Sequence, residues 1–425
     1  MNGTQAEEWL HSLPRVSRMK GVESEKILLG LLENPEKKLK FVHIAGTNGK
    51  GSTATMITNI LIAAGYRVGT TVSPFILDFR ERFQINGEMI SPEELQTVTQ
   101  RVQQASKEMQ QKYQELPCEF VAVTAVALEW FVQKQCDIVV LETGIGGLLD
   151  ATNAVENTEV ACIMRIGFDH TNLLGYTLPE IAKQKCGILK KGCSVVCYPC
   201  QPQQALQQIV ADCIAKQCPL TLPELEDLES CKSKGLQNKF CYGGYEVDLS
   251  LPGKHQQYNA MVAIEAALAL WRKGWNISDE AILQGLNSTK FPARIEVVQV
   301  KPLIIIDGCH NEDGAQALAQ TLQQAKLTNL AAIVGVMEDK DCTAMLQELQ
   351  DCFSHIYTVS PEIPRAMDTE KLAKLAKSFF KNVTVCDTVQ DALELVQEDG
   401  WEGCVVLGSL YLASEARNKI LQSSN

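Results

Sequence analysis

The sequence predicts an α/β protein of two domains. In the first half of the chain, short apolar runs alternate with helical patterns, as in a parallel sheet covered by helices. This alternation of apolar runs and helical patterns is absent from a polar stretch at 219–256 and begins again at 303–306. A chain of 425 residues also exceeds the size at which one hydrophobic core usually stops growing. We therefore predict domains 1–296 and 297–425.

The individual elements follow from local patterns. Gly65 is typical of a helix end, and Ser91 followed by Pro92 is typical of a helix start. Gly243 and Gly244 indicate the turn of a hairpin. The predicted strands cover 41–45, 68–72, 137–141, 160–164 and 194–198, and the predicted helices cover 52–64, 91–109, 122–132 and 259–271.

Charge and hydropathy exclude several classes of function. A formal net charge of −12 argues against nucleic acid as the main partner, because phosphate backbones are bound through basic surfaces. No apolar run reaches the roughly 18–20 residues that span a bilayer, so no membrane partner is expected. The N-terminus lacks the apolar core of a secretory signal, which predicts a cytoplasmic protein. The 16 cysteines are then interpreted as reduced thiols, mostly buried.

The sharpest local motif is HIAGTNGKGSTAT at 43–55, between a predicted strand and a predicted helix. Glycines let backbone amides approach phosphate oxygens, and a helix N-terminus favours negative charge. Lys50 would neutralise the terminal phosphates, and Ser52 could ligate a phosphate-bound magnesium ion. The strict P-loop pattern is not met, because Ile44 and Gly51 occupy its glycine and hydroxyl positions. A glycine-rich turn that binds nothing is the alternative.

Polar residues follow two further predicted strands. Glu142 comes after one apolar run, in a position suited to an acid that holds magnesium near phosphates. Asp169 and His170 come after the next. Ligands of parallel sheets sit beyond the carboxyl ends of the strands, so we expect these groups to share one site. Taken alone, His170 would more simply be a structural histidine.

Cys193, Cys197 and Cys200 have a C-x3-C-x2-C spacing that can hold an iron–sulfur cluster. The run 194–198 reads as a buried strand, however, and its alternation would point the first two thiols at one apolar face. We therefore favour buried thiols over a metal cluster.

At this point the motifs resemble those of the folylpolyglutamate synthase and dihydrofolate synthase family, relatives of the Mur ligases. The match runs from about residue 15 to 415, and ten motifs occur in the family's order. These motifs are HIAGTNGKGS, SPFILDFRERFQING, ETGIGGLLDATN, DHTNLLG, IAKQKCGILKKG, HQQYNA, FPARIE, DGCHNEDG, GVMEDKD and GSLYLASEAR. Each motif is weak alone, and the ordered set is specific.

The resemblance implies a P-loop ATPase domain with a mostly parallel sheet and a smaller Rossmann-like C-terminal α/β domain, with the active site in the cleft between them. It implies ATP-dependent ligation of L-glutamate to a folate through an acyl phosphate, with Mg²⁺. Matched metal ligands are Ser52, Ser73, Glu142, His170 and Lys185, the last as a carbamate. Matched ATP-binding positions are Thr47, Asn48, Gly49, Lys50, Gly51, Ser52, Asn259, Arg294 and Asp307. Matched substrate-binding positions are Phe75, Arg82, Phe120, Asp150, His310 and Ser409, and the catalytic set is Lys50, His170, Lys185 and Arg294.

Some of these residues could instead have ordinary structural roles. Unmodified, Lys185 would be a cation facing phosphate or solvent. His310 and Ser409 could be strand-end residues bonded to the backbone. The family usually acts as a monomer, and the partners expected here are folate, L-glutamate and ATP.

Three positions depart from the family's commonest form. Phe75 stands where many members have histidine, Leu148 replaces an arginine, and Val121 replaces a glutamate. These changes favour glutamate extension of folates over the synthesis of dihydrofolate from dihydropteroate. Three alternatives remain: a bifunctional enzyme, another Mur-type ligase and a non-catalytic nucleotide-binding module. Another Mur-type ligase is disfavoured, because a sugar-nucleotide domain would be expected before the glycine loop and this loop already begins by residue 46.

Overall fold

The computed structural model describes residues 3–19, 22–231 and 234–423, and this part of the chain forms three sheets. The largest has eight strands in the order β4-β3-β2-β5-β1-β6-β7-β8. The central strand β1 pairs in parallel with both β5 and β6, and the antiparallel pairings of this sheet are β2 with β3 and β3 with β4. In chain order these strands are Phe41–Ala45, Val68–Thr71, Gln84–Ile85, Glu88–Met89, Ile138–Glu142, Thr158–Ile163, Ser194–Cys197 and Leu220–Thr221.

A second sheet has three strands in the order β11-β10-β9, and a third has six in the order β12-β13-β17-β14-β15-β16. In the third sheet β12 is antiparallel to β13 and the other pairs are parallel. The turn between β10 and β11 holds Gly243 and Gly244, as predicted. These strands are Leu228–Ser230, Asn238–Tyr242, Tyr245–Leu249, Glu296–Val300, Leu303–Ile306, Leu330–Val334, His355–Thr358, Val383–Val385 and Gly403–Leu407.

Fifteen α-helices lie in the described residues. Four of them, α3, α4, α5 and α9, were predicted individually, and their observed ends agree with the predicted ends to within five residues. No bounds were predicted from the sequence for the other helices, including α1 and α2 near the N-terminus. In chain order α1 to α15 are Gly3–Ser12, Glu23–Leu31, Lys50–Ala63, Pro92–Tyr113, Glu119–Gln133, Thr171–Leu174, Leu178–Lys185, Gln203–Ala215, Lys254–Arg272, Asp279–Asn287, Glu312–Gln324, Cys342–Leu349, Thr369–Ala376, Val389–Glu398 and Leu410–Ser423. The mostly parallel α/β architecture confirms the predicted fold class.

The chain divides into two compact units. The first comprises 1–229, 241–247 and 258–289, and the second comprises 230–240, 248–257 and 290–425. The final division lies slightly before the predicted boundary at residue 296. Two short segments of the polar stretch, 230–240 and 248–257, belong to the second unit. This division was not predicted from the sequence, because composition along the chain does not show which distant segments pack together.

Each unit has its own apolar core. In the first unit, one core lies where α1, α2, α4 and α5 cover the large sheet, and a second lies under α7 and α8 on β6 and β7. The second unit is built around β13, β14 and β17, whose residues are almost completely buried. Continuous burial along a strand is what parallel strands with two covered faces require. In residues 3–19, 22–231 and 234–423, no helix has the length and apolar character needed to cross a membrane.

The cysteine-rich segment forms part of the core of the first unit that lies under α7 and α8. Cys193 and Cys197 are buried, and the Cys193 Sγ lies 3.7 Å from the Cys218 Sγ. Burial raises the pKa of Cys197 to about 12, as expected of an apolar thiol. The interpretation of these two residues as buried thiols is confirmed, whereas Cys200 is only half-buried.

Candidate active site

The predicted phosphate loop lies at the carboxyl end of the central strand. β1 ends at Ala45, and α3 begins at Lys50, so the loop runs directly into a helix N-terminus. Gly49 has a φ of 86°, and a Cβ at this position would lie 2.5 Å from Asn259 Oδ1. Glycine is therefore required there by both conformation and space. The same contact places Asn259, a predicted ATP-binding residue, beside the loop.

Lys50 lies between the phosphate loop and the end of the neighbouring strand. Its Nζ donates to the Thr47 carbonyl at 3.3 Å and lies 3.9 Å from Glu142 Oε1. Both side chains are largely buried, with 15% and 5% of their surface exposed. The structure thus joins a cation and a carboxylate that are 92 positions apart in the sequence (142 − 50).

Glu142 is the last residue of β5, and its other oxygen accepts a hydrogen bond from Ser73 N at 3.0 Å. Arg82 Nη1 donates to Ser73 Oγ at 3.3 Å, and its guanidinium lies 5.5 Å from the centre of the Phe75 ring. Four predicted site residues from three segments are therefore neighbours. The cluster presents a carboxylate, a hydroxyl and a cation beside an aromatic face.

Lys185 approaches the phosphate loop from α7. Its Nζ donates to the Gly46 carbonyl at 2.7 Å, and the residue is 4% exposed. Burial, followed by repulsion from Lys50, lowers the pKa of Lys185 to about 7. This amine therefore loses its proton more readily than an ordinary lysine.

The loop after β6 carries Asp169 and His170. Thr47 Oγ1 donates to the Gly167 carbonyl and accepts from Gly167 N, both at 3.0 Å, which ties this loop to the phosphate loop. His170 has a φ of 49°, and its N–H is held by Asp169 Oδ1 at 2.8 Å. The His170 ring lies 3.8 Å from the same oxygen and is about one-third exposed.

The donors near the phosphate loop suit a hard cation in type. Magnesium is usually held by one or two carboxylates together with hydroxyls, water and substrate phosphate. Glu142, Ser52 and Ser73 supply donors of this kind, and Glu142 is a buried carboxylate whose Oε1 lies 3.9 Å from Lys50 Nζ. Within the described ranges no three His, Cys, Asp or Glu residues are close enough to form a metal site by themselves. The donor set therefore fits a metal whose coordination is completed by phosphate rather than an all-protein site.

A third loop, residues 144–153, follows β5 and is held from within. Asp150 Oδ2 accepts from Ile145 N at 2.9 Å, and Oδ1 accepts from Thr152 N at 3.0 Å and Thr152 Oγ1 at 2.6 Å. A Cβ on Gly144 would lie 2.8 Å from the Phe120 ring and 3.2 Å from Asp150 Oδ2. The two predicted substrate-binding residues are thus neighbours, with Asp150 buried and engaged by the loop itself.

Two residues that fix this loop were missed as site residues in the sequence analysis. Asn153 Nδ2 donates to the Leu148 carbonyl at 3.0 Å, and Lys190 Nζ donates to Asn153 O and Oδ1, both at 2.9 Å. Both residues stand inside motifs that were recognised, ETGIGGLLDATN and IAKQKCGILKKG. Their position in those motifs was the available signal. Leu148 itself is 41% exposed at the surface of the loop.

The second unit contains its own polar cluster at the end of β13. Asp307 is 7% exposed, and its carboxylate accepts from Ile295 N at 2.9 Å and Cys309 N at 2.8 Å. Burial raises the pKa of Asp307, while the nearby Arg294 opposes that shift. The Arg294 guanidinium lies 5.4 Å from the centre of the Phe291 ring.

The two remaining predicted residues of this unit have backbone partners. His310 Nδ1 lies 3.0 Å from the Gly308 carbonyl, and Ser409 Oγ accepts from Leu412 N at 3.1 Å. Ser409 is 3% exposed, at the start of α15. These bonds orient both side chains, and they are also what a purely structural role would produce.

Comparison with known proteins places these motifs in context. The family model described as the Mur ligase middle domain matches residues 44–267, and the model described as the Mur ligase, glutamate ligase domain matches residues 293–409. The folylpolyglutamate synthase of Lacticaseibacillus casei is 36% identical, over 99% of this chain and 99% of its own. The dihydrofolate synthase/folylpolyglutamate synthase of Bacillus subtilis is 35% identical, over 98% of each chain.

A solved structure shares the whole architecture. The folylpolyglutamate synthase of Mycobacterium tuberculosis, complexed with ADP and AMPPCP, superposes with a TM-score of 0.88. It is 28% identical, and the superposition covers 98% of each chain.

Proposed function

This chain belongs to the folylpolyglutamate synthase and dihydrofolate synthase family of Mur ligases, whose members are ATP-dependent amide ligases, and we propose that it joins L-glutamate to the γ-carboxylate of a folate. The observation that carries the proposal is the phosphate loop beside Glu142. Lys50, a helix N-terminus and a buried carboxylate meet at the end of the central strand. This arrangement suits a nucleotide triphosphate whose terminal group is transferred.

The reaction follows from the chemistry of a carboxylate. A carboxylate is a poor electrophile, because its leaving group would be oxide. Transfer of the γ-phosphoryl group of ATP to the folate carboxylate gives an acyl phosphate, and phosphate is then a good leaving group. The amine of glutamate attacks the acyl carbon, an amide forms, and phosphate leaves. The protein needs no covalent nucleophile, since alignment and charge stabilisation suffice.

Ser52, Ser73, Glu142 and His170 would hold Mg²⁺ in this reaction. When bound, the metal would neutralise charge on the transferring phosphoryl group. Thr47 to Ser52 would contact the phosphates through their amides and side chains. Asn259, Arg294 and Asp307 would hold the nucleotide, with Arg294 as a permanent cation facing phosphate oxygens.

Lys185 is suited to carry a carbamate. A neutral amine adds carbon dioxide and loses a proton to give an anionic carbamate, and burial already lowers the pKa of Lys185 to about 7. The product would present oxygen ligands to a second magnesium ion. Unmodified, this residue would repel a metal, so the modification decides its role.

The folate would lie against the aromatic and cationic cluster of the first unit. Phe75 and Arg82 would contact it, and Phe120 and Asp150 would border its heterocyclic end. His310 and Ser409 would face the incoming glutamate. Sixteen free thiols suit a reducing compartment, so we place the enzyme in the cytoplasm. We further propose, from the resemblance to the family, that the enzyme acts as a monomer.

Dihydrofolate synthesis is the second candidate activity. Relatives of nearly equal identity carry the single and the dual name. An exposed Leu148 in place of the family's usual arginine removes a cation from the surface of the 144–153 loop, which favours glutamate extension alone.

A direct assay separates these activities. The purified enzyme is incubated with ATP, Mg²⁺ and labelled glutamate, with either a reduced folate monoglutamate or dihydropteroate as the acceptor. We expect incorporation with the folate and ADP release that depends on both acceptor and glutamate. Equal incorporation with dihydropteroate would establish the dual activity, and no incorporation with either acceptor would refute the proposal.

A further inference from the structure

Glu25 is a buried acid whose carboxyl group has no hydrogen-bond partner in the part of the chain that the structure describes. It lies in the first turn of α2, and none of its surface is exposed. Neither carboxyl oxygen has a hydrogen-bond partner in residues 3–19, 22–231 and 234–423. An acid at the third position of a helix commonly caps the backbone, but this one points into the protein instead. A buried polar group without partners is costly, so its presence calls for a reason.

Asp150 immediately precedes an element that packs against the helix carrying Glu25, and its carboxylate, unlike that of Glu25, has hydrogen-bond donors. The short helix that follows Asp150, Ala151–Ala154, packs against α2. The Asp150 carboxylate accepts three hydrogen bonds from Ile145 and Thr152, and the Gly144 N–H also stabilises its anion. Every one of these donors favours the ionised form of Asp150.

Two buried carboxyl groups that repel each other cannot both ionise without a large cost in free energy. Burial raises the pKa of Glu25 well above its ordinary value, and the Asp150 and Glu36 carboxylates raise it further. Burial also raises the pKa of Asp150, but its hydrogen bonds oppose that shift. The proton that the pair shares therefore resides on Glu25, and the charge resides on Asp150.

Among the residues that the structure describes, no cation donates a hydrogen bond to the Glu25 carboxyl group. The titratable group that faces it from the start of α5 is the Cys118 thiol, whose pKa is raised chiefly by burial. On α4, Arg101 is paired with Glu129 at 3.1 Å. On α2 itself, Lys26 is exposed at the surface.

We propose that Glu25 is a positioning residue for the 144–153 loop, because its proton leaves Asp150 as the single buried anion that orders this loop. The inference rests on the proposed function in one respect, namely that the loop borders the folate. Ionisation of Glu25 would place a second negative charge beside Asp150. The Glu25 proton would go to solvent, and repulsion between the two buried carboxylates would weaken the hydrogen bonds that Asp150 accepts from Ile145 and Thr152 and loosen the loop.

Kinetics of three full-length proteins test the positioning role. Glu25→Gln keeps the size of the protonated acid and cannot ionise, whereas Asp150→Asn removes the anion itself. We expect the KM for folate of the wild type to rise several-fold between pH 7 and pH 9.5 relative to its KM for ATP. In Glu25→Gln that alkaline rise should disappear, and in Asp150→Asn the KM for folate should already be high at pH 7. Identical pH profiles for the wild type and Glu25→Gln would overturn the positioning role.

Thermal unfolding tests the location of the proton independently of any activity. Because the folded state keeps the Glu25 proton to a higher pH than the unfolded chain does, the wild type loses stability as pH rises above the ordinary range of a glutamate. The Tm of Glu25→Gln should therefore exceed that of the wild type by a margin that grows from pH 5 to pH 8. Glu129→Gln is the matched control, since Glu129 is equally buried but paired with Arg101, and it should show no such growing gain.

The two readouts fail separately. Wild-type protein that ligates no glutamate would refute the proposed function, while the unfolding series would still decide where the proton lies. A constant Tm difference between Glu25→Gln and the wild type across this pH range would overturn the inference, even in a fully active enzyme.

Discussion

Replacing Lys50 with methionine removes the cation that lies 3.9 Å from Glu142 Oε1 while keeping most of the side-chain stem. The stem is largely buried, so methionine preserves its packing at the start of α3. Glu142 keeps the hydrogen bond from Ser73 N at 3.0 Å. The perturbation is therefore mainly a loss of one positive charge at the phosphate loop.

The magnitude follows from that distance. Two unit charges 3.9 Å apart attract by about 4 kcal/mol at an effective dielectric constant of about 20, most of which is offset by desolvation of the pair. We expect a net destabilisation of about 1–3 kcal/mol, below the total stability of a typical domain. In the reaction the same cation faces the charge of the transferring phosphoryl group, where loss of one preorganised donor costs a factor of about 100–1,000 in kcat.

The assay compares kcat for glutamate ligation and the urea unfolding curve for wild type, Lys50→Met and Lys183→Met. Lys183 is an exposed lysine of α7, so its replacement controls for the loss of one charge from the same unit. We expect native-like unfolding of all three proteins and a large loss of kcat in Lys50→Met alone. A well-folded Lys50→Met with a kcat within threefold of the wild type would refute the phosphate role of Lys50.

Four further predictions concern the rest of the molecule. Burial lowers the pKa of His43 to about 3 in the folded protein. As the pH falls, His43 is therefore protonated in the unfolded chain before it is protonated in the folded protein. About 2 kcal/mol of stability should be lost between pH 6.5 and pH 5 for this reason. His43→Gln should lessen that loss in urea unfolding at the two pH values, and an unchanged loss would contradict it. Phe131 has no exposed surface, so Phe131→Ala should lower the free energy of unfolding by about 3–5 kcal/mol. Trp271 is 56% exposed, so Trp271→Ala should lower it much less. Equal losses for the two variants would contradict the assignment of Phe131 to the core. A carbamate on Lys185 should give a ¹³C NMR signal in ¹³C-bicarbonate that Lys185→Met lacks, and a wild-type spectrum without the signal would exclude the modification. Excess chelator should stop ligation and leave the Tm unchanged, because the donors near the phosphate loop need substrate phosphate to complete a metal site; continued turnover would remove the metal role.

Local patterns were sufficient for elements whose signal is contained in a short run. β1 and β13 have the predicted bounds, and the turn at Gly243 and Gly244 lies between two paired strands. The phosphate loop was predicted because its glycines, its lysine and the strand-to-helix corner are adjacent in the sequence. α3 nevertheless begins at Lys50, two residues before its predicted start, since the glycine at the helix start reads as loop in a linear scan.

Pairings between distant segments required the tertiary structure. Whether Glu142 reaches Lys50, or Lys185 reaches the Gly46 carbonyl, depends on the order of strands in the sheet and on the packing of α7. The division of 230–257 between the two units has the same cause. Composition along the chain cannot reveal which segments meet after folding.

The sequence alone determined the α/β class, the ordered motifs and the chemistry of each candidate group, because these depend on periodicity and residue type within short windows. The tertiary structure alone decided the electrostatic state of those groups. In the sequence, Glu25 is an ordinary acid and Lys185 is an ordinary cation. Burial and the charge of neighbours far along the chain raise the pKa of Glu25 and lower the pKa of Lys185.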